Sequence, residues 1–141
     1  MKILVAYAPT PEGERALARG MDDAERESAS LLIVRAVPMS SGENTSAARG
    51  KARDMQAERD RMAALVETAT QRGIAATGQV EVIDHSASVS EAVIALADRE
   101  EVDLLVVGVR RRSPVGKAVL GSDAQDILLN ANCPVLAVKA D

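Results

Sequence analysis

The stretch Asp103-Leu104-Leu105-Val106-Val107-Gly108 decides the fold that we predict for this chain. Its apolar run is too short for a typical helix and too continuous for a half-exposed strand. We therefore interpret residues 104–107 as a strand that is buried on both faces of a sheet and that stops at Gly108. A loop at residues 109–120 follows, and Gly121-Ser122 is expected to open the next helix.

The loop after this strand has the composition of an anion-binding site. Glycines bound it on both sides, and glycine lets a phosphate approach the backbone closely. Backbone N–H groups at a helix N-terminus carry about half a positive charge and lack partners within the helix. The loop also supplies cations, namely Arg110, Arg111, Arg112 and Lys117. The alternative interpretation is a solvated basic turn.

The rest of the chain alternates between short apolar runs and helical patterns. Further strands are predicted at residues 3–6, 31–37, 77–83 and 135–139, with helices at about 11–27 and 47–71 and after Ser88 and Ser122. Such alternation is typical of an α/β protein with a parallel sheet and right-handed crossovers. No internal repeat or domain boundary is visible, so we expect residues 1–141 to form a single domain.

Local capping signals support the predicted helix ends. Thr10 can cap a helix whose first position is Pro11, where proline costs least. Ser88 and Glu91 match a capping box, and Gly73 stands where a C-terminal cap belongs. The last helix is predicted to have an apolar face made of Ala124, Ile127, Leu128 and Ala131.

Composition excludes several classes of function. Aromatic residues make up only 1% of the chain, with Tyr7 the sole example, which argues against stacking on single-stranded nucleic acid. A net charge of −4 disfavours a general nucleic-acid or membrane-surface binder. Cys133 is the only cysteine, so no intrachain disulfide is expected. The chain shows neither a long apolar span nor a signal peptide, and we expect a cytoplasmic protein.

The glycine spacing resembles that of the universal stress protein family, whose nucleotide loop reads G-x2-G-x9-G-[ST]. Gly108, Gly121 and Ser122 match this motif, whereas its second glycine falls on Arg111. Residues 2–6 and 132–139 also resemble the opening and closing strands of the family. The resemblance implies a doubly wound, five-stranded parallel sheet of the adenine nucleotide alpha hydrolase type. It further implies strand order 3-2-1-4-5 in a three-layer α/β/α sandwich.

The resemblance also implies a ligand, ATP or another adenine nucleotide, and the residues around it. Gly108, Arg111, Gly121 and Ser122 would surround the phosphates, while Tyr7 and Ala8 would lie on the nucleoside side. The family's usual aspartate after the first strand falls on Ala8, so one carboxylate contact is absent. Arg111 either replaces an amide contact with a charge-assisted bond to phosphate or fills the pocket.

The implied function is that of a non-enzymatic stress-response or signalling protein. One alternative is a family member that has lost nucleotide binding and acts through protein contacts. A second is a nucleotide hydrolase or transferase, which the lack of a general base or metal ligands near the loop disfavours, although weak ATP hydrolysis stays open. His85 is the only histidine and has no second ligand at metal-binding spacing, so no metal is expected.

The last strand predicts a homodimer. In the implied strand order it forms an edge of the sheet, and it carries four consecutive apolar residues, Val135, Leu136, Ala137 and Val138. An uncovered apolar edge favours pairing with a second chain. Pro134 blunts only the beginning of this edge. The alternative is an edge that the preceding helix covers.

Overall fold

A computed structural model describes residues 1–38, 45–84, 86–110 and 120–140. Five strands alternate with four helices in these ranges. The strands are β1 (Lys2–Ala6), β2 (Ser30–Pro38), β3 (Ala76–Ile83), β4 (Leu104–Arg110) and β5 (Val135–Ala140). The helices are α1 (Pro11–Glu27), α2 (Thr45–Gln71), α3 (Val89–Arg99) and α4 (Ser122–Asn130).

All five strands are parallel and lie in the order β3-β2-β1-β4-β5. One hydrophobic cluster joins the sheet to α1 and α2, and a second joins its other face to α3 and α4. The predicted α/β/α sandwich and its strand order are therefore confirmed. Side chains alternate between the two faces along β1, so Leu4 belongs to the α3/α4 cluster and Val5 to the α1/α2 cluster.

The capping signals act as expected. Thr10 Oγ1 accepts a hydrogen bond from Gly13 N at 3.0 Å, and Ser88 Oγ accepts one from Glu91 N at 3.1 Å. Gly73 has φ of +81°, the left-handed conformation that ends a helix and that glycine adopts without strain. These contacts are local in sequence, which is why they are predictable from it.

Several element boundaries and one helix face differ from the prediction, most of them by a single residue. β4 does not stop at Gly108 but continues to Arg110, because its ladder with β5 extends through the pair Arg110 and Ala140. Backbone pairing needs no apolar side chain, so hydrophobicity marked the strand's end too early. α2 begins at Thr45, two residues before the predicted start. Leu128 is 37% exposed, because α4 buries only Ala124 and Ile127 against its neighbours.

Membrane insertion finds no support in the helices. Within the described ranges, no helix combines the length and the apolar composition that crossing a bilayer requires.

Candidate functional site

A cleft of about 540 Å³ opens at the carboxyl ends of β1, β2 and β4. Its interior is apolar and includes Val34, Val93, Val107 and Ile127, which belong to the α3/α4 cluster. Its rim is polar and includes Thr10, Glu12, Arg110 and Asp123. In an open parallel sheet, ligands bind beyond the carboxyl ends of strands where the strand order reverses, and here that point lies between β1 and β4.

The structure brings five of the six predicted site residues to this one cleft. Tyr7 and Ala8 follow β1, Gly108 lies in β4, and Gly121 and Ser122 begin α4, and all five line the cleft. The sixth, Arg111, lies outside the described residues, as do Arg112, Lys117 and His85. The role assigned to Arg111 therefore stays a prediction.

Tyr7 turns its side chain away from the apolar interior of the cleft. The ring is only 4% exposed and packs in the α1/α2 cluster, on the opposite face of the sheet from Val34 and Val107. Its hydroxyl donates to Glu14 Oε1 at 2.5 Å. Burial, followed by the Glu14 carboxylate, raises the pKa of Tyr7 to about 12. Tyr7 therefore contributes main chain to the cleft.

The two matching glycines of the loop have different structural causes. A Cβ atom on Gly108 would lie 2.3 Å from Glu12 O, so the first turn of α1 crosses β4 too closely for any side chain there. A Cβ atom on Gly121 would meet no described atom within 4 Å, and φ of Gly121 is −63°, which any residue adopts. Packing thus requires Gly108, whereas packing among the described residues leaves Gly121 unexplained.

Three helices present their N-termini to the cleft, and two of these are closed by side chains. Thr10 caps α1 through Gly13 N. Ser88 caps α3 through Glu91 N, and Asp123 Oδ1 reaches across from α4 to accept from Ser90 N at 3.2 Å. No described side chain caps α4, whose N-cap residue is Gly121. Ser122 is the first residue of the helix, so Gly121-Ser122 opens α4 as expected.

The cleft also holds paired charges. Glu12 Oε1 lies 3.5 Å from Arg110 Nε, and the Glu12 side chain is only 15% exposed. Arg35 lines the cleft as well, and its Nε donates to Glu58 Oε2 at 3.3 Å. Sequence reasoning did not identify Glu12, because its arrival at the cleft depends on how α1 crosses β4. A glutamate in the first turn of a helix signals only a favourable helix dipole.

Asp123 and Ser90 form a second contact that sequence reasoning did not find. Ser90 is buried, and its Oγ donates to Asp126 Oδ2 at 2.6 Å while Asp123 accepts from its backbone N. These residues are 33 and 36 positions apart in the chain. The contact joins the N-terminus of α3 to the first half of α4 and so orders the α4 side of the cleft.

Metal and thiol chemistry find no support in the described parts of the chain. No group of three or more histidine, cysteine and acidic side chains is arranged there to hold a metal ion. Cys133 is half-buried between α4 and β5, and burial raises the pKa of its thiol. A raised pKa keeps the thiol protonated and unreactive at neutral pH.

The chain matches the model of the universal stress protein family over residues 1–139. A universal stress protein from Mycolicibacterium smegmatis is 33% identical over 138 residues, which cover 97% of this chain and 96% of the relative. These matches extend over nearly the whole chain.

Solved structures agree with the fold. A universal stress protein from Archaeoglobus fulgidus superposes with a TM-score of 0.75 at 22% identity, covering 98% of this chain and 97% of that one. A structure of the universal stress protein from the same organism in complex with dAMP has a TM-score of 0.69 at 17% identity, covering 98% and 96%. At these identities the structural matches establish the fold alone.

Proposed function

This chain belongs to the universal stress protein family, and on that premise we propose that it binds an adenine nucleotide in the cleft between β1 and β4. The phosphates lie at the N-terminus of α4, and the base lies in the apolar interior. Tyr7 and Ala8 border the nucleoside through the main chain. The protein is proposed to act in the cytoplasm in stress response or signalling.

The open N-terminus of α4 is the observation that carries this proposal. Of the three helix starts at the cleft, it alone lacks a side-chain cap from the described residues. Backbone N–H groups in that position have no partner within the helix and favour an anion. Packing among the described residues gives Gly121 no reason to be glycine, and a close approach by a ligand supplies one.

The nature of the ligand is supported from two sides. The interior of the cleft is lined by aliphatic side chains such as Val34, Val93 and Ile127, which suit the faces of a purine. The A. fulgidus relative with a similar fold was solved in complex with dAMP. A ligand with an apolar base at one end and a phosphate at the other fits both the interior and the α4 terminus.

Substitution of Gly121 tests the phosphate position. Aspartate is favoured at an N-cap, so Gly121→Asp is expected to preserve or raise the melting temperature. Its carboxylate would occupy the anion position, and we expect calorimetry with AMP to show an affinity at least about tenfold weaker than in the wild type. Gly121→Asn is the matched control, because it has nearly the same size and capping ability without the charge.

The outcomes separate the proposed function from its alternatives. An unchanged AMP affinity in Gly121→Asp would place the phosphates elsewhere. No binding of AMP or ATP by the wild type would favour a family member that acts through protein contacts alone. The proposed binder does not turn ATP over, so release of phosphate from ATP at catalytic rates would favour the hydrolase alternative.

A homodimer through β5 is the second part of the proposal, because β5 forms an edge of the sheet. Leu105 N donates to Pro134 O at 2.9 Å, and Leu105 is paired with Val135. Alternate residues of a strand direct their backbone groups to opposite sides, so Leu136 and Val138 bond to β4. The groups of Val135 and Ala137 then face outward. Two copies can pair these groups across a two-fold axis.

The register defines the test of the dimer. Ala137→Pro removes an outward N–H and is expected to shift the sedimenting species from dimer to monomer, whereas Ala137→Ser keeps the donor and should remain dimeric. A proline at Leu136 would instead remove a bond to β4 and weaken the sheet itself. Weak dimers typically have dissociation constants on the order of micromolar. A wild type that sediments as a monomer at a concentration of about tens of micromolar would therefore refute the dimer.

A further inference from the structure

Glu12 lines the same cleft as the N-terminus of α4, where the phosphates are proposed to lie. The first turn of α1 crosses β4 so closely that the Glu12 carbonyl oxygen lies only 2.3 Å from the position that a Cβ atom of Gly108 would take. The Glu12 side chain is mostly buried and lines the cleft. Packing therefore fixes the main chain of Glu12 against β4, and the ion pair with Arg110 and the burial of the side chain restrict its carboxylate.

Among the described residues that line the cleft, each arginine already has an acidic partner. Arg110 pairs with Glu12, and Arg35 pairs with Glu58. Asp123 adds a further carboxylate at the start of α4. The described part of the cleft, which excludes the loop at residues 111–119, therefore offers a phosphate the α4 amides but no unpaired cation for a second or third phosphate.

We propose that Glu12 is a specificity-determining residue, which makes the cleft select adenine nucleotides of low charge and so favours AMP over ATP. This inference rests on the proposed function. The carboxylate repels the additional phosphates of ATP and neutralises the Arg110 guanidinium, which would otherwise attract them. Selectivity thus arises from a repulsive element and not from an additional contact to AMP.

The expected size of the effect follows from the distance dependence of charge interactions. A charge within about 4–6 Å of a titrating group commonly shifts its equilibrium by tenfold or more. We therefore expect Glu12→Gln to raise the affinity for ATP by about tenfold while AMP changes by less than about threefold. The change is in the ratio of the two affinities, which a general loss of stability would not alter in this direction.

The experiment measures AMP and ATP binding by calorimetry in the absence of divalent cations. The wild type is expected to bind AMP more tightly than ATP, and Glu12→Gln to reduce or reverse this preference. Glu91→Gln is the matched control, because Glu91 also lies in the first turn of a helix but does not line the cleft. It removes the same charge and should leave the ratio unchanged.

Salt supplies a second readout. The Debye length falls from about 30 Å at 0.01 M to about 8 Å at 0.15 M ionic strength. The preference of the wild type for AMP should shrink over that range more than that of Glu12→Gln. If the wild type binds AMP but prefers ATP, or if Glu12→Gln leaves the ratio unchanged, the inference fails while the proposed function stands. If neither variant binds either nucleotide, both fail.

Discussion

Gly108 and Gly121 bound the same loop and line the same cleft, yet they are glycines for different reasons. At Gly108 the backbone of α1 leaves no room for a side chain. At Gly121 no described atom would contact one. The first glycine serves the assembly of α1 on β4, and the second leaves the start of α4 without a cap from any described side chain. A motif position therefore reveals its role only when its surroundings are known.

The largest expected effect is a difference in stability between alanine variants at these two positions. Gly108→Ala places a Cβ atom 2.3 Å from a backbone oxygen, and neither β4 nor α1 can move without disturbing the core. We expect it to lower the free energy of unfolding by about 3 kcal/mol, near the upper end for overpacking. Gly121→Ala should lower it by about 1 kcal/mol or less. Urea denaturation measures both, and equal losses would erase the distinction.

A smaller effect is expected from removing one of the two side-chain acceptors at the N-terminus of α3, where Ser88 would still accept from Glu91 N. Asp123→Ala removes the acceptor of Ser90 N and should lower the free energy of unfolding by about 1–2 kcal/mol, as loss of a helix cap does. Asp123→Asn keeps an acceptor and should cost less. Both variants remove a negative charge from the cleft, so calorimetry should show tighter binding of AMP. Weaker binding would mean that the carboxylate itself serves the ligand.

The smallest effect concerns Tyr7. Like Gly108, it lines the cleft but is held by packing against α1. Tyr7→Phe removes the hydrogen bond to Glu14 and should lower the free energy of unfolding by about 1 kcal/mol at neutral pH. Because its side chain packs on the other face of the sheet, the AMP affinity should stay unchanged. A large loss of AMP affinity would mean that the phenol hydroxyl takes part in ligand binding.

Alkaline pH gives the same variant a second readout. The folded pKa of Tyr7, about 12, is above its ordinary value of 10.0, so the folded state holds the phenolic proton more tightly. The resulting stabilisation is fully present below pH 10 and is lost as the pH rises from 10 to 12. Denaturation curves in that window should show a steeper loss for the wild type than for Tyr7→Phe. If the wild type and Tyr7→Phe lose stability equally between pH 10 and 12, the raised pKa of Tyr7 is wrong.

Much of the fold is predictable from local patterns. The apolar runs of β1 and β4 and the caps at Thr10 and Ser88 depend on neighbours within a few positions, and they form as predicted. The order of the strands came from the family resemblance, because hydrophobic periodicity does not specify which strands are adjacent. The end of β4 was misplaced because strand pairing with β5, and not apolar character, extends it to Arg110.

The candidate site was predictable only where its residues belong to one motif. Gly108, Gly121 and Ser122 follow a spacing that can be read along the chain, and they meet at the cleft. Glu12 reaches the cleft from α1, which lies far before Gly108 in the sequence. The residues around Glu12 in the sequence do not indicate that it lies near Gly108, because the crossing of α1 over β4 depends on how the helix packs on the sheet.

Local sequence patterns specify the alternation of strands and helices, the positions of most helix ends and the presence of a glycine-bounded basic loop. These follow from periodicity, capping and backbone freedom, which act over a few residues. Three features appear only in the packed structure: Gly108 is required by α1, Asp123 bonds to the N-terminus of α3, and Glu12 pairs with Arg110. The reason is physical, since close packing and charge pairing act through space between segments that the chain keeps far apart.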